Sequence, residues 1–172
     1  MEKKQLIIFW FRRDLRIEDN AGLYYALKQG YSVLPLFIFD TNILDKLEDK
    51  SDRRVDFIYH RLIDLKLKLE ELGSSLLIKY GTPHEVFSNL LMEYSLISVY
   101  TNHDYEPYAA ERDSAIQTLL KESGVTMKTF KDQVIFERFE IVKDDGQAYT
   151  VFTPYSKKWK AKLNEFYLKA YP

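Results

Sequence analysis

The chain has 172 residues, of which 46% are hydrophobic and 30% charged, so it is long and apolar enough to fold around a sizeable core and is not a disordered protein. Its formal net charge of −1 excludes a general polyanion-binding surface, and its lack of cysteine excludes disulfides, thiolate metal sites and cysteine nucleophiles. No apolar run approaches the length of a membrane span, and residues 6–11 are too few for a secretion signal, so we expect a cytoplasmic protein.

Short β-branched or aromatic runs alternate with longer helical patterns along the chain. The short runs predict five strands, at residues 6–11, 33–39, 76–80, 96–100 and 125–130. Helices are predicted after Asn20, over residues 51–73, from Pro83, and over residues 107–123. Proline donates no hydrogen bond to a neighbouring strand, so we expect an irregularity or a sheet edge at Pro35. The alternation is typical of a Rossmann-like, doubly wound α/β fold, with a five-stranded parallel sheet in the order 3-2-1-4-5 and helices on both faces.

The C-terminal part of the chain has a different pattern. Residues 144–147 have the composition of a tight turn, which predicts a hairpin between residues 139–142 and 149–152. Thr153 and Pro154 then predict the start of a last helix, which carries Trp159, Leu163 and Phe166.

Two polar stretches follow neighbouring central strands of the predicted sheet, at residues 12–20 and 101–108. In open parallel sheets, ligands bind beyond the carboxyl ends of the strands where the helices diverge to opposite faces. These two loops, together with the exit of the second strand at residues 37–40, therefore predict the position of a binding cleft.

The loops also exclude several kinds of site. Residues 12–20 lack the G-x-G-x-x-G pattern that a dinucleotide pyrophosphate requires, and no serine lies in a nucleophile elbow, so no catalytic residue is predicted. His103 belongs on the opposite side of an extended loop from Asp104 and Glu106, so we predict no metal site. A structural network of arginines and aspartates remains an alternative for Arg12, Asp14 and Arg16.

Three segments resemble one family. Residues 9–20 read FWFRRDLRIEDN, residues 105–108 read YEPY with Arg112-Asp113 after them, and residues 151–155 read VFTPY with Trp159 after them. In this order and at this spacing, the segments are similar to the N-terminal α/β domain of the photolyase/cryptochrome family. The resemblance implies an α/β domain over residues 1–135, with residues 136–172 leading toward an FAD-binding helical domain that is missing here.

The resemblance also implies an antenna chromophore of the deazaflavin or folate type in the α/β domain, with FAD only in the missing C-terminal domain. It implies that six residues bind the chromophore: Arg13, Phe37, Ile38, Asp104, Glu106 and Arg112. Family members that bind folate carry Asn-Glu where this chain has Tyr108-Ala109, which argues against that mode of folate binding.

The function that the resemblance implies is that of an antenna domain, not itself catalytic, in a deoxyribodipyrimidine photolyase that repairs pyrimidine dimers under light. Its implied partners are the helical domain and, through the full-length protein, damaged DNA. The α/β domain would otherwise expose an apolar patch near the carboxyl ends of the strands, and the fragment would self-associate through it. Two alternatives stay open: a cryptochrome-type photosensor, and a stand-alone nucleotide-binding domain of the universal-stress or electron-transfer-flavoprotein type.

Overall fold

A computed structural model describes residues 4–49 and 51–172, so residues 1–3 of the predicted domain 1–135, and Lys50, lie outside the described residues. Five parallel strands form one sheet in the order β3-β2-β1-β4-β5, which confirms the predicted topology. The strands are β1 (Gln5–Phe11), β2 (Ser32–Asp40), β3 (Leu77–Gly81), β4 (Ser95–Asn102) and β5 (Thr126–Phe130).

Helices connect the strands and follow the sheet in the C-terminal part. They are α1 (Ala21–Leu27), α2 (Thr41–Leu44), α3 (Arg53–Glu71), α4 (Pro83–Glu93), α5 (Pro107–Glu122) and α6 (Phe152–Lys162), with a 3-10 helix at Glu165–Leu168. The Asn20 side chain caps α1 by accepting a hydrogen bond from the Leu23 amide. Thr82 and Glu85 form a reciprocal capping box that fixes the start of α4. The four-residue helix α2 was not predicted, because one turn is too short to show an apolar period.

The side chains of β1 alternate between two apolar layers. Leu6, Ile8 and Trp10 pack with buried residues of α4 and α5 on one face of the sheet. Ile7, Phe9 and Phe11 pack with buried residues of α1 and α3 on the other. Because both faces of β1 are covered, its near-continuous apolar run is that of a central parallel strand. Each such side chain contributes about 1.5–3 kcal/mol on burial.

Pro35 lies where strand β2 has a neighbouring strand on one side only, which agrees with the prediction of a sheet edge. It pairs in register with Phe9 of β1, whereas β3 pairs with β2 only from Leu36 onward. Strand β2 thus has no β3 residue paired opposite Pro35. The irregularity of the sheet lies elsewhere, between Leu6 and Ile7, where the pairing of β1 with β4 shifts register.

The predicted hairpin is wrong. Residues 139–151, all within the described part of the chain, contain no strand, although Lys143 and Gln147 close a tight turn with a 2.8 Å hydrogen bond. An isolated two-stranded ribbon is only marginally stable in water. Its apolar residues form no common buried face: Ile141 is 7% exposed, whereas Phe139 and Phe152 are 81% and 77% exposed.

The predicted start and extent of the last helix are also wrong. Val151, which is extended, precedes α6, so Thr153 and Pro154 lie inside the first turn rather than ahead of it. Proline is tolerated there because the first helical amides have no intrahelical acceptor. The helix ends at Lys162, and Phe166 lies in the 3-10 helix, whose start is capped by the Asn164 side chain. Across the described residues, no helix has the length and apolar character to span a membrane.

Candidate functional site

A cleft of about 450 Å³ opens beyond the carboxyl ends of β1, β2 and β4, which is where the topology predicts a binding site. The structure brings all six predicted site residues to its lining: Arg13, Phe37, Ile38, Asp104, Glu106 and Arg112. They come from three separate parts of the chain and meet only through the parallel sheet order.

One side of the cleft is apolar. Phe37 and Ile38, at the carboxyl end of β2, are 7% and 6% exposed and form its base. Residues of α2, the segment after it and α3 complete this wall: Ile43, Leu44, Leu47, Val55 and Ile58. Helix α2 is held at the end of β2 by Asp40, whose side chain accepts a 3.0 Å hydrogen bond from the Asn42 amide. The sequence analysis did not place Ile43 and Leu44 in this wall, because it did not predict α2.

The other side of the cleft is a charged, water-accessible mouth. The Arg13 Nη1 atom lies 3.4 Å from Glu106 Oε1 and 3.8 Å from Asp104 Oδ1. The Arg13 and Glu106 side chains are 62% and 61% exposed, whereas that of Asp104 is 10% exposed. Exposed ion pairs contribute little to stability, about 0–1 kcal/mol, so a ligand can replace these partners at small cost.

Arg112 is a buried cation of the cleft. Its side chain is 8% exposed, and its Nη2 atom lies 3.0 Å from Asp113 Oδ1 and 4.0 Å from Asp104 Oδ2. Its guanidinium lies over the ring of Trp10, 4.9 Å from the centroid, and 5.8 Å from the centroid of Tyr108. The cation–π contact with Trp10 and the Asp113 pair fix its position at the base of the mouth.

Tyr108 and Asp40 were not among the predicted site residues, although both line the cleft. The Tyr108 hydroxyl donates a 2.6 Å hydrogen bond to Asp40 Oδ2. Burial, together with this bond, raises the pKa of Tyr108, so the hydroxyl stays protonated and remains a donor at neutral pH. The sequence placed Tyr108 in the YEPY segment and marked it as a departure from the folate-binding pattern, but its contact with Asp40 becomes visible only in the fold.

A second polar cluster lies behind the mouth, and we call it the Asn102 node. Asn102 donates to Asn20 Oδ1 at 2.8 Å and to Asp14 Oδ2, and it accepts a 2.8 Å hydrogen bond from the Gly22 amide. Arg12 donates to the Asn102 carbonyl oxygen. The node ties the exit loop of β1 to the end of β4.

The alternative structural reading applies to the three residues for which it was left open. Arg12 makes a 2.6 Å ion pair with Asp113, and Arg16 makes a 2.8 Å ion pair with Asp132. Asp14 accepts a 2.8 Å hydrogen bond from the Arg12 amide and one from Asn102, within the node. These charges are paired within the protein, so they position the loop.

His103 points away from the cleft, as the alternation along the loop predicts. Its Nδ1 atom contacts Glu137 Oε1, and its Nε2 atom lies 2.9 Å from Thr129 Oγ1. Within residues 4–49 and 51–172, no group of three or more histidine, aspartate or glutamate residues is placed to hold a metal ion.

Comparison with known proteins identifies the family. A sequence model of the DNA photolyase family matches residues 7–172. The chain is 34% identical to a deoxyribodipyrimidine photo-lyase from Synechococcus sp. over 155 residues, which are 90% of this chain and 32% of that protein. It is 33% identical to Cryptochrome-2 of Arabidopsis thaliana over 159 residues, which are 92% of this chain and 25% of that protein.

A solved structure agrees with these sequence matches. The crystal structure of an archaeal photolyase from Sulfolobus tokodaii, described with two FAD molecules and the implication of a novel light-harvesting cofactor, superposes with a TM-score of 0.78 at 32% identity. The match covers 92% of this chain and 36% of that one. The chain therefore spans about a third of the length of these photolyases, over their α/β part. The chain belongs to the DNA photolyase family.

Proposed function

We propose that the cleft binds a planar heteroaromatic antenna chromophore and that the domain passes absorbed light energy to a flavin in a longer photolyase, which repairs pyrimidine dimers in DNA. The observation that supports this proposal is the pairing of an apolar wall with a charged mouth in one cleft of about 450 Å³, a size suited to a flavin-like ring system. Family membership supports the link to repair.

The donors and acceptors of the mouth suit a ring edge with both carbonyl and N–H groups. Arg13 supplies hydrogen-bond donors for carbonyl oxygens, and Asp104 and Glu106 supply acceptors for ring N–H groups. The Phe37 and Ile38 side packs against the face of the ring. Deazaflavins and flavins carry such an edge. We favour a deazaflavin-type or flavin occupant over a folate because this chain has Tyr108-Ala109 where folate-binding relatives carry Asn-Glu, and the second FAD of the Sulfolobus tokodaii relative supports the same class.

We propose that FAD of the repair site is bound by a helical domain outside this chain, and that damaged DNA is bound there too. Large apolar side chains in the C-terminal segment suit such a partner, since five of them are at least 60% exposed: Phe139, Val151, Phe152, Phe166 and Leu168. The isolated chain should show no light-dependent repair, and it should self-associate through this surface. Sedimentation measures the second expectation, and a uniformly monomeric chain at high concentration would contradict it.

The chromophore proposal is tested by titrating the domain with riboflavin and with 5-deazariboflavin and following ligand fluorescence. Glu106→Ala removes an acceptor at the mouth, and we expect affinity to fall roughly tenfold, as for loss of one charge-assisted hydrogen bond. The free energy of unfolding should change by less than about 0.5 kcal/mol, because the side chain is exposed. Glu111→Ala on the exposed face of α5 is the matched control and should bind like the unchanged domain. Unfolding of the Glu106 variant, or unaltered binding, would contradict the assignment.

A cryptochrome-type photosensor is the second candidate, and the similarity to Cryptochrome-2 favours it. Repair of dimer-containing DNA by a longer protein that includes this chain separates the two functions, since a photosensor gives none. A nucleotide-binding domain of the universal-stress type would bind ATP or AMP in calorimetry, and we expect no heat of binding. A cytoplasmic location stays a prediction from the sequence, in which no apolar run is long enough for a membrane span or a secretion signal.

A further inference from the structure

The loop over residues 103–106 is a thin wall between two cavities. On one side lies the candidate cleft, and on the other lies a second cavity of about 430 Å³. The second cavity is lined by residues of this loop, of α5 and of the segment after β5, among them His103, Asp104, Tyr105, Asp113, Glu137 and Arg138.

The contacts of the loop side chains alternate along the loop, and Asp104 borders both cavities. Asp104 and Glu106 face Arg13 and the cleft, whereas His103 and Tyr105 face Glu137. A slip of one residue along an extended segment would exchange these two sets of side chains. The position of the carboxylates at the mouth therefore depends on whatever fixes the other side of the loop.

Glu137 is the residue on which that other side converges. Its Oε1 atom accepts a 2.8 Å hydrogen bond from the Tyr105 hydroxyl and contacts His103 Nδ1. Glu137 is itself held in place, since its amide donates a 2.6 Å hydrogen bond to Glu140 Oε2. Arg138 adds a 3.0 Å hydrogen bond to the Tyr105 carbonyl oxygen.

We propose that Glu137 is a positioning residue for the candidate cleft: by holding His103 and Tyr105 on its own side of the loop, it keeps Asp104 and Glu106 on the cleft side. The expected effect of Glu137 on chromophore binding rests on the proposed function. Its expected effect on the conformation of the loop does not. Glu137 lies in the segment that runs from β5 toward α6, so the occupied cleft and that segment are mechanically linked.

The ionisation of Glu137 fits this role. Burial opposes the charged form, but the hydrogen bonds from His103 and Tyr105 outweigh it and lower the pKa of Glu137. Burial and the bond to Glu137 raise the pKa of Tyr105, so its hydroxyl stays a donor. At neutral pH the charged Glu137 carboxylate thus faces the Tyr105 hydroxyl and His103 Nδ1, and a hydrogen bond to a charged acceptor is the stronger kind.

The first test measures the loop directly by amide hydrogen exchange, without any ligand. In Glu137→Ala, the amides of His103 to Glu106 should exchange at least about tenfold faster, since local opening becomes easier, while β1 amides are unchanged. Glu137→Gln keeps one acceptor oxygen and should give an intermediate rate. Glu122→Ala, an exposed change at the end of α5, is the control and should have no effect. Unchanged exchange in Glu137→Ala would overturn the proposal.

The second test is a double-mutant cycle on riboflavin and 5-deazariboflavin binding. Glu137→Ala should weaken binding about fivefold, and clearly less than that when Glu106→Ala is already present, because the misplaced carboxylate is then absent. Fully additive effects would overturn the role of Glu137 at the cleft. If the unchanged domain binds neither ligand while Glu137→Ala accelerates loop exchange, the proposed function fails and the positioning of the loop by Glu137 stands.

Discussion

Arg12 and Arg13 are neighbours in the sequence and opposites in the structure. The Arg12 side chain is 7% exposed and fully engaged, with a 2.6 Å ion pair to Asp113 and a bond to the Asn102 carbonyl oxygen. The Arg13 side chain is 62% exposed, and its two carboxylate partners lie at 3.4 and 3.8 Å. The same functional group is part of the scaffold in one position and available to a ligand in the next.

The difference shows how a charged cleft can coexist with a stable fold. The Arg12 side chain and the asparagines of the Asn102 node are buried. Among the described residues, no buried side-chain nitrogen or oxygen lacks a hydrogen-bond partner. Leaving one member of such a cluster unpaired costs more than the intact pair contributes. The Arg13 and Glu106 side chains at the mouth are exposed to solvent, so their charges are hydrated when no ligand is bound.

The largest expected effect on stability comes from removing the buried Arg12 side chain. Arg12→Ala should lower the free energy of unfolding by about 3 kcal/mol, because it leaves Asp113 with a single guanidinium partner and removes a donor from the Asn102 carbonyl. Arg13→Ala is the matched control, one residue away, and should change stability by less than about 0.5 kcal/mol. Urea unfolding followed by circular dichroism measures both. Equal losses for the two variants would show that the contrast between them is wrong.

A smaller effect is expected at Gly22, where the backbone passes close to the node. A Cβ atom there would lie 2.7 Å from Asn102 Oδ1 and 2.8 Å from Phe9 Cε2. Gly22→Ala should therefore lower the free energy of unfolding by about 2 kcal/mol, as overpacking in a core does. Combining it with Asn102→Ala should cost less than the sum of the two single changes, since one of the clashes disappears. Strict additivity in thermal unfolding would contradict the close approach.

The smallest expected effect is on the pH dependence of stability, and it concerns the half-buried carboxylates Glu137 and Glu140. The pKa values of Glu137 and Glu140 are lowered in the folded protein, so the stability that they contribute is present above their usual value of 4.5 and is lost as pH falls through the lowered values. Glu137→Gln should be less stable than the unchanged domain at about pH 7, and the difference should shrink as pH falls toward about 3. Thermal unfolding across this range checks the sign, and a difference that grows toward acid would contradict it.

The sheet could be predicted almost completely from the sequence, because buried parallel strands are short apolar runs and the connections between them are constrained. The six predicted site residues were assigned by resemblance, and the topology brings them to one cleft. Asn102 and Tyr108 could not be predicted as they are, because a polar residue after a strand gives no sign of whether it will be buried in a network or face solvent. The hairpin prediction was wrong because the tight turn forms but the residues on either side of it have no neighbouring strand to pair with.

Trp10 gives the cleft its own optical signal. It is 2% exposed and lies beneath the guanidinium groups of Arg112 and Arg12, at 4.9 and 5.3 Å from its ring centroid. The chain has two tryptophans, and the other, Trp159, packs on Phe136 in the C-terminal segment. Replacing Trp159 with phenylalanine leaves Trp10, at the base of the cleft, as the single tryptophan. A flavin-like ring bound in the cleft would lie close enough to Trp10 to accept its excitation, so tryptophan quenching would report occupancy without any label.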